Sequence, residues 1–542
     1  MRIGDLAESN SAGRGVPGWN ISHGSTQYPE TLHGFLLRGA SQLDDQAVVL
    51  ECGEPATEIR PVSYRQLATL VDRYTDQLRQ LGLGVGDRVI LESETSACAI
   101  ALLLACSSLG VAFVPVSAEI PARRLLTVIE AAEPALVAWP EARKDIQIPD
   151  GIGIVTFGPD SWVVDRLPEI TSGRARPPVS TDVAYIAFTS GTTGRPKGVI
   201  MTHRAIVAFY RAMLSESMVA TPGRVASTSP FHFDFALLDI GLAFGSGAGL
   251  VAVPRRLIWQ PQKFVRFLAA SEATQVNGVP SVWPPILRHA ARELSALSHI
   301  RGILYSGEPF PMPVLRDLRR ALPQARIVNC FGSTESVACS FVDVPKELGE
   351  DITELPIGPP RCGAAMVLVD GQGKQISTPG QVGEIYLHTP ALFNGYWRDL
   401  EATRQALVPD PFDERTGQMV YRSGDLGRLG DDGRIYFCGR SDHQVKIRGN
   451  RVELGDVESA IQAIPGIDGV AVLALPAGAG SVGLFAFVAT TQADRADILS
   501  HCEATLPSYM VPLEIHLRPE LPWTLNGKID RRALAESVAM AR

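Results

Sequence analysis

The chain has 542 residues, which at about 100–200 residues per domain amounts to roughly three to five structural units. Hydrophobic residues make up 45% and charged residues 20%, a globular balance that excludes wholesale disorder. Lys and Arg number 50 against 58 Asp and Glu, a net charge of −8 that argues against a dedicated nucleic-acid binder yet permits a local basic groove around a phosphate compound.

In chain order, residues 1–25 are rich in Gly, Ser and Asn and read as a loose arm. No signal-peptide apolar stretch follows Met1, and the longest apolar run, 97–106, is too short to span a bilayer. The eight cysteines are widely spaced with no CxxC pair, so a reducing, cytoplasmic setting is expected and zinc is not. Leu67, Leu70, Val71, Tyr74 and Leu78 fall at helical steps and predict a helix over 63–81. A strand at 89–91, a buried helix over 97–109 stopped by Gly110, and a strand at 111–116 follow. The alternation continues through short strands at 275–279 and 302–305. This is an α/β pattern with largely parallel sheets. From about 356 to 439 the texture changes to short strands and Gly/Pro turns, a β-rich subdomain. A boundary is expected near Gly439-Arg440-Ser441-Asp442, dividing a large part, 26–441, from a small mobile α+β part, 442–542. The small part shows a helix through Val457, Ala460, Ile461 and Ile464 and strands at 470–475 and 484–489.

The most informative segment is Thr189-Ser190-Gly191-Thr192-Thr193-Gly194-Arg195-Pro196-Lys197-Gly198, after an apolar strand at 183–188. Glycines let a backbone turn tightly and bring N–H groups to an anion, Ser and Thr add donors, and Lys197 adds charge. The composition suits a polyphosphate. It is not a Walker loop, because Pro196 rather than Gly precedes Lys197 and Gly198 rather than a hydroxyl residue follows.

This loop resembles the signature of the adenylate-forming superfamily, which includes acyl-CoA synthetases, luciferases and the adenylation domains of nonribosomal peptide synthetases. Further segments match in order across about 60–535: 110–115, Phe331-Gly332-Ser333-Thr334-Glu335, Gly383-Glu384-Ile385, Tyr421-Arg422-Ser423-Gly424-Asp425, 439–458 and Asn526-Gly527-Lys528-Ile529-Asp530. The resemblance implies a large adenylation domain, a hinge, and two half-reactions. A carboxylate attacks the α-phosphate of ATP to give an acyl-adenylate and pyrophosphate, and a thiol then displaces AMP.

By the same resemblance the glycine loop clasps the β- and γ-phosphates. Glu335 is the Mg²⁺ ligand, and Thr334 lies near the α-phosphate. Phe331, with Gly332 and Ser333, stacks on adenine, and Ser306-Gly307-Glu308 line its pocket. Asp425 holds the ribose hydroxyls and Arg440 assists. Asp442 is the hinge, Lys528 is the catalytic cation of the first half, and Gly449 lines the pantetheine channel of the second. Phe233-Asp234 resembles the segment in which amino-acid-activating members pair the substrate ammonium with Asp, although His232 before it resembles the CoA ligases. The remaining side-chain pocket is Phe235, Leu238, Gly278, Leu304, Ser306, Cys330, Ala338 and Cys339, bulky and uncharged, which favours a small apolar side chain. The chain is thus expected to be a free-standing aminoacyl ligase that loads the phosphopantetheine arm of a separate carrier protein. The alternatives are a CoA ligase of a small carboxylic acid and a non-catalytic binding member.

Overall fold

The computed structural model describes residues 30–38, 45–53, 55, 57–169, 173–189, 196–220, 222–441, 444–478, 481–490, 492–522 and 529–541. The expected N-terminal arm lies outside them. Two large sheets build the bulk of the chain. The first runs in the spatial order Trp162–Arg166, Gly153–Phe157, Leu136–Trp139, Arg88–Glu92, Ala112–Val116, Val183–Thr189, Lys197–Thr202. The second runs Val337–Asp343, Arg326–Ser333, Gly302–Ser306, Gln275–Gly278, Arg224–Ser227, Gly249–Ala252, Ala47–Cys52, Ile59–Ser63. Both are parallel inside and end in antiparallel strands at each edge. The expected parallel α/β architecture is therefore present.

Helix Tyr64–Gln80 shows how local chemistry sets these elements. Ser63 and Gln66 form a reciprocal capping box, and Leu67, Val71, Tyr74 and Leu78 bury one face. Helix Ala97–Leu109 has no polar face, and Ala99 through Ser107 are buried without a break. Such a helix needs apolar partners on every side, and one continuous core containing Val89 and Phe113 of the first sheet and Val49, Val225 and Leu250 of the second supplies them. Gly110, at φ +70, ends the helix in the left-handed region, and the next strand starts at Ala112.

A third, antiparallel sheet follows in the expected β-rich stretch: Ala365–Val369, Val382–His388, Met419–Leu429 and Leu407–Pro409, with Ile435–Arg440 pairing the long third strand. Beyond it come the hairpin Gln444–Ile447 and Asn450–Glu453, helix Leu454–Gln462, and a sheet of Ile467–Pro476, Val482–Thr490 and Glu514–Arg518 flanked by helices Arg495–Thr505 and Arg531–Ala541. The helix stops at Gln462, so Ile464 belongs to the following turn instead. No helix among the described residues is long and apolar enough to cross a membrane.

Candidate active site

The C-terminal edges of the two large sheets, the β-rich sheet and the tip of the C-terminal hairpin enclose a cleft of about 1060 Å³, its open mouth included. Asp234 opens helix Asp234–Ser246, whose next ten residues are buried. Phe233, not Asp234, is the N-cap residue, and it makes no side-chain cap bond. The Asp234 carboxylate is therefore left to face the cleft beside the positive end of the helix. Burial pushes its pKa up, while the nearby Lys446 ammonium and a Thr334 hydrogen bond pull the other way. Phe235, Leu238, Ser306, Cys330 and Ala338 line the same cleft. Leu304, Gly278 and Cys339 are not on its surface. Leu304 is in the core, a Cβ on Gly278 would meet Thr228 Oγ1 at 2.1 Å, and Cys339 Sγ lies 3.0 Å from Ser336 Oγ.

Thr189 and Lys197 face each other across the paired strands Val183–Thr189 and Lys197–Thr202, and Thr189 lines the cleft. Ser190, Gly191, Thr192, Thr193 and Gly194 lie outside the described residues, as do Asp442 and Lys528. Lys197 Nζ sits 5.7 Å from the centre of the Tyr396 ring. Gly332, Ser333 and Thr334 line the cleft. Phe331 packs at a tilt on Phe437, with ring centres 6.1 Å apart. Glu308 accepts a hydrogen bond from Ser281 N at 2.8 Å, and its pKa is raised by burial. Gly307, at φ +94, lets the hairpin approach: a Cβ there would stand 3.3 Å from Gly449 Cα.

Asp425 and Arg440 face each other across paired strands of the β-rich sheet and form a buried ion pair. A second Arg440 nitrogen donates to Ser423 O at 3.1 Å. Burial raises the Asp425 pKa, and the charges of Arg440, Lys446 and Arg451 oppose the rise.

Three residues outside the expected set of site residues complete the site. Tyr396 Oη donates to Glu335 Oε1 at 2.7 Å, and Arg451 Nη1 donates to the same oxygen at 2.7 Å. Glu335 has no exposed surface. Burial alone would raise its pKa, but the Arg451 charge and the Tyr396 bond bring it down to about 2. Lys446, from the hairpin, lines the cleft between Asp425 and Asp234, whose charges oppose the lowering of its pKa by burial. Arg451 stands two residues after Gly449 inside a segment the sequence had marked. Tyr396 had no local signal, because its role depends on a contact 61 residues away.

Glu335 is chemically suited to a hard divalent cation. Its Oε2 is buried and has no hydrogen-bond partner among the described residues. No cluster of three or more ligating side chains exists among the described residues. A single carboxylate oxygen of this kind suits Mg²⁺, which is commonly held by one or two carboxylates together with substrate phosphates.

A second cavity of about 690 Å³ shares Phe233, Val279, Asn450 and Tyr509 with the cleft and leads outward past Trp259 and Arg448. There the Arg448 guanidinium lies 5.2 Å from the Trp259 ring centre.

Comparison with known proteins places these features. The family described as AMP-binding enzyme matches residues 38–397, and its C-terminal domain family matches 456–528. An L-proline--[L-prolyl-carrier protein] ligase of Pseudomonas fluorescens is 30% identical over 518 residues, covering 94% of this chain and 99% of that protein. A dimodular nonribosomal peptide synthase of Bacillus subtilis is 31% identical over 481 residues, covering 87% of this chain but only 20% of the synthase. The crystal structure of IdnL1 is 50% identical with a TM-score of 0.83, covering 91% of this chain and 99% of that one. With both family matches in order and a relative of equal extent, the chain belongs to the AMP-binding enzyme family of adenylate-forming ligases.

Proposed function

We propose that the protein activates an amino acid with a small, apolar side chain as aminoacyl-AMP, consuming ATP with Mg²⁺ and releasing pyrophosphate, and then passes it to the phosphopantetheine thiol of a separate carrier protein. The observation that carries this reading is the placement of Asp234. It puts a carboxylate at the head of a buried helix, in the same cleft as the Asp425–Arg440 pair, above a floor of Phe235, Leu238 and Ala338. A buried carboxylate pairs economically with a substrate ammonium, since either charge alone is costly to desolvate. Phe235 and Leu238 are bulky, which favours a small side chain.

The other roles follow the same arrangement. Asp425 takes the ribose hydroxyls and Phe331 the adenine face. Thr189, Lys197 and the loop between them hold the β- and γ-phosphates. Mg²⁺ on Glu335 would neutralise phosphate charge. Lys528 steadies the attacking carboxylate and the α-phosphate in the first half-reaction. For the second half, residues 442–542 turn about Asp442 against 26–441 and set Gly449 against Val279 and Gly307 in the cleft, beside the outer cavity that is the path for the pantetheine arm.

The test is pyrophosphate exchange across a panel of amino acids and their des-amino analogues. Exchange is expected only with the amine present. Asp234→Ala should lose about two to three decades or more in kcat/KM, from roughly 3–5 kcal/mol of unpaired ammonium. Equal exchange with the des-amino acids would overturn the ammonium assignment. Release of a CoA thioester in place of a loaded carrier would make the protein an acyl-CoA ligase.

A further inference from the structure

The Glu335 carboxylate is wholly buried, and the cation beside it comes from the far end of the chain. Arg451 follows the tip of the C-terminal hairpin, and Asn450 braces that tip by donating to Ile447 O at 3.2 Å and Arg448 O at 3.1 Å. Gly449 and Arg451 both line the cleft. The same insertion that brings Gly449 to Val279 and Gly307 therefore brings Arg451 to Glu335.

We infer that Arg451 and the nucleotide's metal ion are alternative counter-ions of Glu335, so that the C-terminal hairpin enters the cleft only as the metal and pyrophosphate leave. The inference rests on the reading of Glu335 given above and makes Arg451 a positioning residue for the transfer step. With Arg451 and Tyr396 on Oε1, a divalent cation on the remaining Oε2 would sit beside a guanidinium at a wholly buried carboxylate, where like charges are weakly screened. With neither cation, a buried carboxylate would stand uncompensated. One cation at a time satisfies the site. Exchange of the metal for the arginine thus orders the half-reactions: the transfer arrangement is disfavoured until the metal has gone.

The experiment titrates Mn²⁺-pyrophosphate into the full-length protein, with calorimetry and the Mn²⁺ spectrum as readouts. In the wild type the metal must expel Arg451. Arg451→Ala should therefore bind Mn²⁺-pyrophosphate about tenfold more tightly, as removal of a competing state requires. Arg451→Lys should shift in the same direction by less, and it serves if the alanine variant is unstable. In a Glu335→Gln background the Arg451 effect should vanish, because the two cations no longer share a ligand. Transfer from supplied aminoacyl-adenylate should meanwhile fall about tenfold further than pyrophosphate exchange does. Unchanged or weaker metal-pyrophosphate binding in both Arg451 variants would overturn the inference, as would an Arg451 effect that persists in Glu335→Gln. If no amino acid supports exchange in the wild type, the functional reading fails, while the metal titration still decides the role of Arg451.

Discussion

Helix Asp234–Ser246 carries two carboxylates five residues apart with opposite duties. Asp234 faces the cleft. Asp239 faces the core, where it has no exposed surface and, among the described residues, no cation beside it. Ser227 Oγ donates to one of its oxygens at 2.5 Å and Asn277 Nδ2 to the other at 2.7 Å. Burial outweighs those bonds and lifts its pKa from 3.8 to about 7. Below the unfolded value the group is neutral in both states. Between 3.8 and about 7 the folded state holds a proton that the unfolded state has lost, so the stability this proton contributes drains away as pH rises. Asp239→Asn keeps the shape without the charge. Its melting temperature relative to wild type should climb across that window and level off above it, and a flat difference would mean the carboxylate is ionised throughout. Asp234 was legible because Phe233-Asp234 sits in a recognisable motif. Asp239 was not, since its partners come from strands 12 and 38 residues away.

At the scale of the element, the hairpin Gln444–Ile447 and Asn450–Glu453 depends on two consecutive left-handed residues, Arg448 at φ +50 and Gly449 at φ +77. Arg448 bears that conformation at a cost of about 1–2 kcal/mol. Gly449 does so freely, and it also lacks the Cβ that would stand 2.2 Å from Val279 Cγ1. Gly449→Val should therefore hold the hairpin off the cleft. Single-turnover transfer to a carrier thiol should drop at least about tenfold more than pyrophosphate exchange. Equal losses would place the hairpin's role elsewhere. Elements with strong local signals were read closely: helix Tyr64–Gln80 from its periodicity and helix Ala97–Leu109 from its stop at Gly110. Strand Glu514–Arg518 escaped notice. Its five residues alternate weakly, and it exists by pairing in parallel with Val482–Thr490.

For the whole molecule, the proposed order of events assigns each half-reaction its own cation from the C-terminal part. Lys528→Ala should cut pyrophosphate exchange by about two to three decades, from ~2.7–4 kcal/mol of lost charge stabilisation. Transfer from supplied adenylate should persist. Normal exchange with failed transfer would reverse the assignment. The order of strands in the two great sheets was not readable from the sequence, because neighbours such as Ala47–Cys52 and Gly249–Ala252 lie about two hundred residues apart and nothing local encodes their pairing. That the sheets are parallel was readable, because helices alternate with short apolar strands.

Among the described residues, no apolar cluster has buried members on both sides of the stretch between Tyr421 and Ile447. The clusters of the large part draw their buried members from Leu32 to Tyr421, and those of the small part from Ile447 to Val538. A chain synthesised from its N-terminus thus completes the first core before the second exists. The ribosome delivers the larger wall of the cleft first and the C-terminal residues that complete it afterwards. Local opening of the small part then leaves the large core intact, and the seam between them is where a protease would find its earliest purchase.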